Sequence, residues 1–265
     1  MIYCNLKGGL GNMLFQIAAT KSFSLDMGVE CSFPNLHDNI SILNEDQHHN
    51  PKLKHGLEYL NIFKNLKIDN PKNHINRIVF PFHYEKLNLK DGDLIDGFFQ
   101  SEKYFKHNKT EILKFINFED ISKKVHKKYE SLINIKNTTS IHIRRGDYVK
   151  LQNHHPLQTL DYFNQSINEV KNKTDMFIIF SDDIEWCKEN LKLDNSVYIT
   201  NEKDYNELYL MSLCRNNIIS NSSFSWWGAW MNSNEEKIVI GPKRWFGPMI
   251  THNTNDILPK EWIKI

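Results

Sequence analysis

A chain of 265 residues is long enough for one large domain or two of ordinary size. Its 33 basic and 32 acidic side chains leave a net charge of +1 with no long basic run, so neither nucleic acid nor an anionic membrane is called for as a partner. Four cysteines without C-x-x-C spacing read as small core residues rather than a zinc site or a disulfide framework, and the opening MIYCNLKGG has none of the pattern of a secretory leader. With no apolar run long enough to span a bilayer, a cytoplasmic protein is expected, and peripheral membrane contact remains compatible with it.

Residues 2–6 read as a short buried strand, KGGLGN as a glycine loop, and MLFQIAATKSFSLDMG as a helix ending at Gly28. VECSF follows as a second strand, completing a strand-helix-strand unit of the kind that builds a parallel sheet. Residues 35–93 mix Asn, His, Lys and Pro with short apolar pieces, which predicts a partly irregular region able to carry a substrate-facing surface. DLIDGFFQ at 93–100 predicts a strand, and Ser101 an N-cap for the segment behind it. Residues 121–133 predict one amphipathic helix.

After the polar stretch NIKNTT the chain alternates SIHIRR, MFIIF, VYIT, NIIS and KIVIG as strands with helical patterns between them, a doubly wound α/β unit of five strands. The best boundary lies at 134–139, dividing the chain into residues 1–136 and 137–265.

In open parallel sheets ligands bind beyond the carboxyl ends of the strands. The polar residues there are Arg144-Arg145-Gly146-Asp147, Ser181-Asp182-Asp183 and Asn221-Ser222-Ser223. Alternation along the strand puts His142 and Arg144 on one face, a guanidinium matches phosphate oxygens, and Ser222 and Ser223 open a helix whose free N–H groups attract anions. Asp182 and Asp183 would repel a phosphate but could pair with a guanine edge or a ribose diol. Plainer readings exist for each group: a surface ion-pair cluster for the arginines, and helix caps for the Asp and Ser pairs. Asp147 fits an ion-pair partner of the arginines better than a general base. Asp91-Gly92-Asp93 reads as a turn rather than a metal motif, and SWWGAW as a core helix.

On GGLGNMLFQIA (8–18), GFFQSEKYF (97–105), HIRRGDY (142–148), FSDDIEWC and SNSSFSWWGAW, the sequence resembles the α-1,2-fucosyltransferases of glycosyltransferase family 11. The resemblance implies an α/β fold of GT-B type, two Rossmann-like halves facing across a cleft, with the acceptor on the first and GDP-fucose on the second. It implies an inverting enzyme with no cofactor or metal and with a galactose-terminated glycan as acceptor. Carried over by position, Arg144 meets the diphosphate, and His142 and Arg145 line or brace that site. Ser222, Ser223 and Phe224 hold phosphates at the helix start, and Asp182 and Asp183 lie near the nucleoside. Gly9 and Asn12 of the glycine loop join the donor set. The resemblance also implies a part in protein glycosylation and association with a membrane. Met13 departs from the family pattern, which has Gln after Gly-Asn, and this bears on acceptor contacts. Open alternatives are a fucosyltransferase of another linkage and a non-catalytic GDP-sugar-binding protein.

Overall fold

The computed structural model describes residues 1–45, 58–71, 76–86 and 88–265. It divides into two α/β units, the first made of residues 1–46, 53–117 and 252–259 and the second essentially of 118–251 and 260–265. The division therefore falls earlier than the polar stretch at 134–139. Phe118 stacks on Tyr209 at 5.8 Å and Ser122 accepts from the Tyr209 hydroxyl at 2.9 Å, which ties the helix that follows to the second unit.

The first unit carries β1 (Ile2–Cys4), α1 (Leu10–Met27), β2 (Cys31–Ser32), α2 (Leu36–Glu45), α3 (Tyr59–Ile62), β3 (Arg77–Val79), β4 (Leu94–Asp96) and α4 (Lys109–Phe115). Its four strands are parallel in the order β2-β1-β4-β3. The region expected to be irregular thus contains two helices and an edge strand, while its residues 46–57, 72–75 and 87 lie outside the described residues. β4 stops at Asp96 rather than continuing to Gln100, because Phe99 turns the chain with a φ of 51°. That conformation is unfavourable for a bulky residue, and the fully buried ring is held against Phe80 at 4.8 Å and Tyr104 at 5.5 Å. Asp91 pairs with the amino terminus, and Asp93 accepts from Lys90 N at 2.7 Å and Asn76 Nδ2 at 3.2 Å, so this stretch is the turn its sequence suggests.

The second unit carries α5 (Glu119–Lys128), α6 (Glu130–Ile133), β5 (Thr138–Ile143), α7 (Leu160–Val170), β6 (Met176–Ser181), α8 (Ile184–Asn190), β7 (Ser196–Tyr198), α9 (Asp204–Leu213), β8 (Asn216–Ile218), α10 (Ser223–Met231), β9 (Val239–Gly241) and β10 (Ile263–Lys264). The single helix expected over 121–133 is broken at Tyr129, whose hydroxyl donates to Glu202 at 2.7 Å beside Lys128 at 2.6 Å. The sheet has six strands rather than five, since the carboxyl-terminal residues add β10 against β9. All are parallel, in the order β7-β6-β5-β8-β9-β10.

Counted from β5, that order is 3-2-1-4-5-6, the doubly wound arrangement whose crevice opens where the order reverses, between β5 and β8. Ile141, Ile143, Phe177, Ile179, Ile218 and Ile240 form an apolar layer packed by Tyr162, Phe163, Ile167 and Val170 of α7. Trp226, Trp227 and Trp230 are buried in α10, the core role favoured by their spacing. The polar start of β5 is satisfied internally: Thr139 bonds Thr174 at 2.7 Å and Ser140 accepts from Asn217 at 2.7 Å. All four cysteines are buried free thiols, two in each unit. Among the described residues no helix is long and apolar enough to cross a membrane.

Candidate active site

The reversal point of the second sheet is closed by one serine. Ser220, just past β8, donates its hydroxyl to the His142 carbonyl at 2.8 Å and accepts from the Arg144 backbone N–H at 3.1 Å. This stitches the exits of β5 and β8 together and fixes where Arg144 leaves the sheet. The Arg144 guanidinium then lies between two carboxylates. Asp147 accepts from Nη2 at 2.5 Å, and Asp182 Oδ2 sits 2.9 Å from Nη1, off the hydrogen-bond direction, as an ion pair. Burial works against the guanidinium charge, but Asp182 and then Asp147 outweigh it, and the pKa of Arg144 lies above its ordinary value. Of the five N–H donors of a guanidinium, most remain without a partner among the described residues.

Arg145 points elsewhere. Its side chain bonds Asp183 at 2.9 Å and lies 4.0 Å over the Trp186 ring, while its backbone N–H donates to Asp182 at 2.8 Å. It braces α8. Asp183 also accepts from Trp186 N at 3.3 Å and caps α8.

The carboxylates expected near a nucleoside are therefore occupied within the protein. The end of β6 lies beside the exit of β5, so the arginines are the nearest partners for both. Gly146 makes the arrangement possible: a Cβ there would stand 2.5 Å from Asp182 Oδ2.

His142 is 5% exposed, with its ring tilted against Phe224 at 5.4 Å, so it supports the start of α10 from below. Ser222 is the N-cap residue of α10, and its side chain makes no capping bond. Ser223 and Phe224 form the partly exposed first turn of that helix, whose early N–H groups and dipole favour an anion. The second sheet thus gathers Arg144 with Asp147 and Asp182, and seats His142 beneath the helix start formed by Ser222, Ser223 and Phe224.

Gly9 and Asn12 belong to the first unit. There the glycine loop leaves β1 and is held by amide side chains that sequence reasoning did not single out. Asn35 bonds both Leu6 N at 2.7 Å and Leu6 O at 2.8 Å, and Gln16 bonds Lys7 N at 2.9 Å and Lys7 O at 3.0 Å. Asn12 accepts from Gln100 at 2.8 Å, linking the exits of β1 and β4 where that sheet's order reverses. Gly8 has a φ of 77°, and a side chain there would meet Asn12 Nδ2 at 2.7 Å. Met13 is fully buried, its sulfur accepting from Asn39 at 3.1 Å, so this position packs the core and its departure from the family pattern alters packing. Asp96, at the end of β4, pairs with Lys7 at 2.5 Å and with Arg77. Burial works against its charge, but the two cations hold its carboxyl below the usual range.

Two parallel-sheet α/β units, one carrying a fixed guanidinium beside a helix start at its strand exits, are the architecture of the GT-B type. The fucosyltransferase NodZ from Bradyrhizobium superposes with a TM-score of 0.54 at 12% identity, covering 86% of this chain and 91% of that one. The same α-1,6-fucosyltransferase co-crystallized with GDP gives the same score and coverage.

The model of glycosyl transferase family 11 matches residues 1–265, and the chain belongs to that family. Two relatives from Escherichia coli align over the whole of this chain. An alpha-1,2-colitosyltransferase is 31% identical with 99% of its length covered, and the O-antigen biosynthesis glycosyltransferase WbnK is 29% identical with 100% covered. The protein is a glycosyltransferase.

Proposed function

We propose that the protein is an inverting α-1,2-fucosyltransferase that moves L-fucose from GDP-β-L-fucose to O2 of a terminal β-galactose. The acceptor oxygen attacks C1 as the bond from C1 to the diphosphate oxygen breaks. GDP leaves with that electron pair, and the acceptor proton passes to the departing phosphate or to solvent. The transition state has oxocarbenium character, and negative charge grows on the β-phosphate as the bond lengthens.

The observation that carries this reading is Arg144, fixed at the reversal point of the second sheet with N–H donors to spare. A guanidinium held in place strengthens its bonds as charge develops, which lowers the barrier more than it strengthens ground-state binding. The α10 start, with Ser222 and Ser223, supplies further N–H groups to the phosphates. With the diphosphate held by these N–H donors, the reaction proceeds without a divalent ion, and activity in excess chelator is the check. Asp147 acts by holding Arg144, since its carboxylate already accepts from the guanidinium. The glycine-loop edge of the first unit takes the acceptor.

The test is incubation with GDP-fucose and a panel of galactose-terminated glycans, followed by linkage analysis. An α-1,2-fucosyl galactoside is expected. GDP binding without transfer to any galactoside overturns the reading. The 31% identical relative is named for colitosyl transfer, so GDP-colitose belongs beside GDP-fucose in the panel. Preference for it reassigns the sugar while leaving the diphosphate chemistry intact.

A further inference from the structure

Arg144 is supported by more than its two carboxylates. Its guanidinium carbon lies 5.4 Å from the centre of the Tyr148 ring. That ring stacks on His155 at 4.8 Å with planes 17° apart, and His155 leans on Phe246 at 5.7 Å. Burial pulls the pKa of His155 below its ordinary value, so the half-buried imidazole is neutral at neutral pH and the ladder carries no second cation toward Arg144.

The ladder's outer parts come from two segments distant in sequence, the stretch 147–158 after β5 and the stretch 244–247 after β9. One amide ties them together. Asn221 is 2% exposed, and its Nδ2 donates to Pro156 O at 3.1 Å and to Trp245 O at 2.9 Å. Its Oδ1 accepts from Gln158 Nε2 at 2.9 Å, and its backbone carbonyl accepts from the Tyr148 hydroxyl at 3.1 Å. Both amide hydrogens are therefore used, and each points at a carbonyl of a different segment. Only a side-chain amide supplies two donors and an acceptor from so short a stem. A second tie runs directly between the segments, from Gly247 N to His154 O at 2.8 Å.

We infer that Asn221 and Tyr148 are positioning residues for the reaction: they hold the Arg144 guanidinium at the site of the β-phosphate without touching the substrate. Two carboxylates alone set the charge of Arg144 but leave its plane free to tilt. The Tyr148 ring removes that freedom, and Asn221 fixes the ring by its hydroxyl and by the backbone on either side. A guanidinium held in plane presents its donors before the substrate arrives, so little reorganisation remains at the moment of bond cleavage.

The inference rests on the donor-site reading of Arg144, and the experiment separates the two. Calorimetric affinities for GDP and GMP are measured on the full-length protein and on Arg144→Lys, Asn221→Asp, Tyr148→Leu and Tyr148→Phe. The wild type should bind GDP more tightly than GMP, and Arg144→Lys should erase that preference. If it does not, the donor-site reading fails and the inference with it.

Asn221→Asp keeps the shape but loses both donated bonds, and Tyr148→Leu removes the ladder. Each should weaken GDP about tenfold while moving GMP far less, about 1.4 kcal/mol of selective loss. Turnover of GDP-fucose should fall with them while KM for the acceptor holds. Tyr148→Phe keeps the ring and should lie between the wild type and Tyr148→Leu, which serves if Asn221→Asp does not fold. Equal losses for GDP and GMP, or an unchanged ratio when Arg144→Lys has erased it, would reduce both residues to general structural support and overturn the inference.

Discussion

The two sheets solve the same problem with different chemistry. At the edge of the first, the backbone of the glycine loop is held by neutral amides, Asn35 on Leu6 and Gln16 on Lys7, each bonding both the N–H and the C=O of one residue. At the edge of the second, a side chain is held by ions, Arg144 between Asp147 and Asp182 with Arg145 tied to Asp183. A loop fixed by amides keeps its shape at any pH near neutrality. A guanidinium fixed by carboxylates stores charge in a set orientation, which is what a diphosphate requires. Paired charges of this kind are weak contributors to stability and strong contributors to geometry.

The comparison breaks first at Arg144. Arg144→Ala should lower turnover on the order of 10²-fold or more at saturating GDP-fucose, and Arg144→Lys should be nearly as poor, because a point charge cannot replace a fork. Near wild-type turnover in steady-state assays of Arg144→Ala would remove the second edge from the chemistry.

Gly146→Ala comes next. It keeps every charge but pushes Asp182 aside, and misplacing the guanidinium in this way should cost about tenfold to a hundredfold in kcat, with the melting temperature little changed. A loss of stability without a loss of kcat would show that the close approach matters only to folding.

At the first edge the effect should be on stability. Asn35→Leu strands the N–H and C=O of Leu6, each at about 1–3 kcal/mol, readable by urea denaturation, while GDP affinity stays within about twofold. A large fall in GDP affinity would mean that the glycine loop serves the donor as well.

The smallest expected effect lies away from both edges. Burial disfavours the Glu202 carboxylate, but bonds from Asn206, Lys128 and Tyr129 outweigh that and hold its pKa down at about 2, against 4.5 ordinarily. A depressed carboxylate stabilises the fold above pH 4.5 and loses that contribution as the pH falls toward 2. Glu202→Gln should therefore flatten the decline of melting temperature in that window. An equally steep decline in the variant would assign the acid sensitivity to other groups.

How far these edges were legible from sequence differs between elements. The apolar runs of β5 and β6 announce buried parallel strands, and the rule that ligands gather at strand ends picks out Arg144, Asp182 and Ser222 directly. β3 and β10 escape it, being edge strands of three and two residues with little buried surface to impose alternation. The break between α5 and α6 follows from a tertiary bond to Glu202, 73 residues on from Tyr129, which no local period records.

The partners of the site are hidden for the same reason. The sequence places arginines beside aspartates, but only the neighbouring strand brings Asp182 against Arg144. Asn221 lies among the polar strand-end residues visible in sequence, yet its role depends on carbonyls 65 and 24 positions away. Asn35 and Gln16 carry no signal beyond being polar residues in apolar surroundings. That signal would have sufficed for Gln16, which sits on the apolar face of a long helix.

The four sequestered cysteines give each unit its own clock. Cys4 and Cys31 lie in the first unit and Cys187 and Cys214 in the second, and burial raises the pKa of every one, Cys4 and Cys214 to about 12 and Cys187 to about 11. Such thiols are nearly inert to alkylating reagents until the surrounding structure opens. The rate at which each pair becomes labelled, read by mass spectrometry of peptides, therefore times the opening of one half of the molecule independently of the other, with no probe introduced.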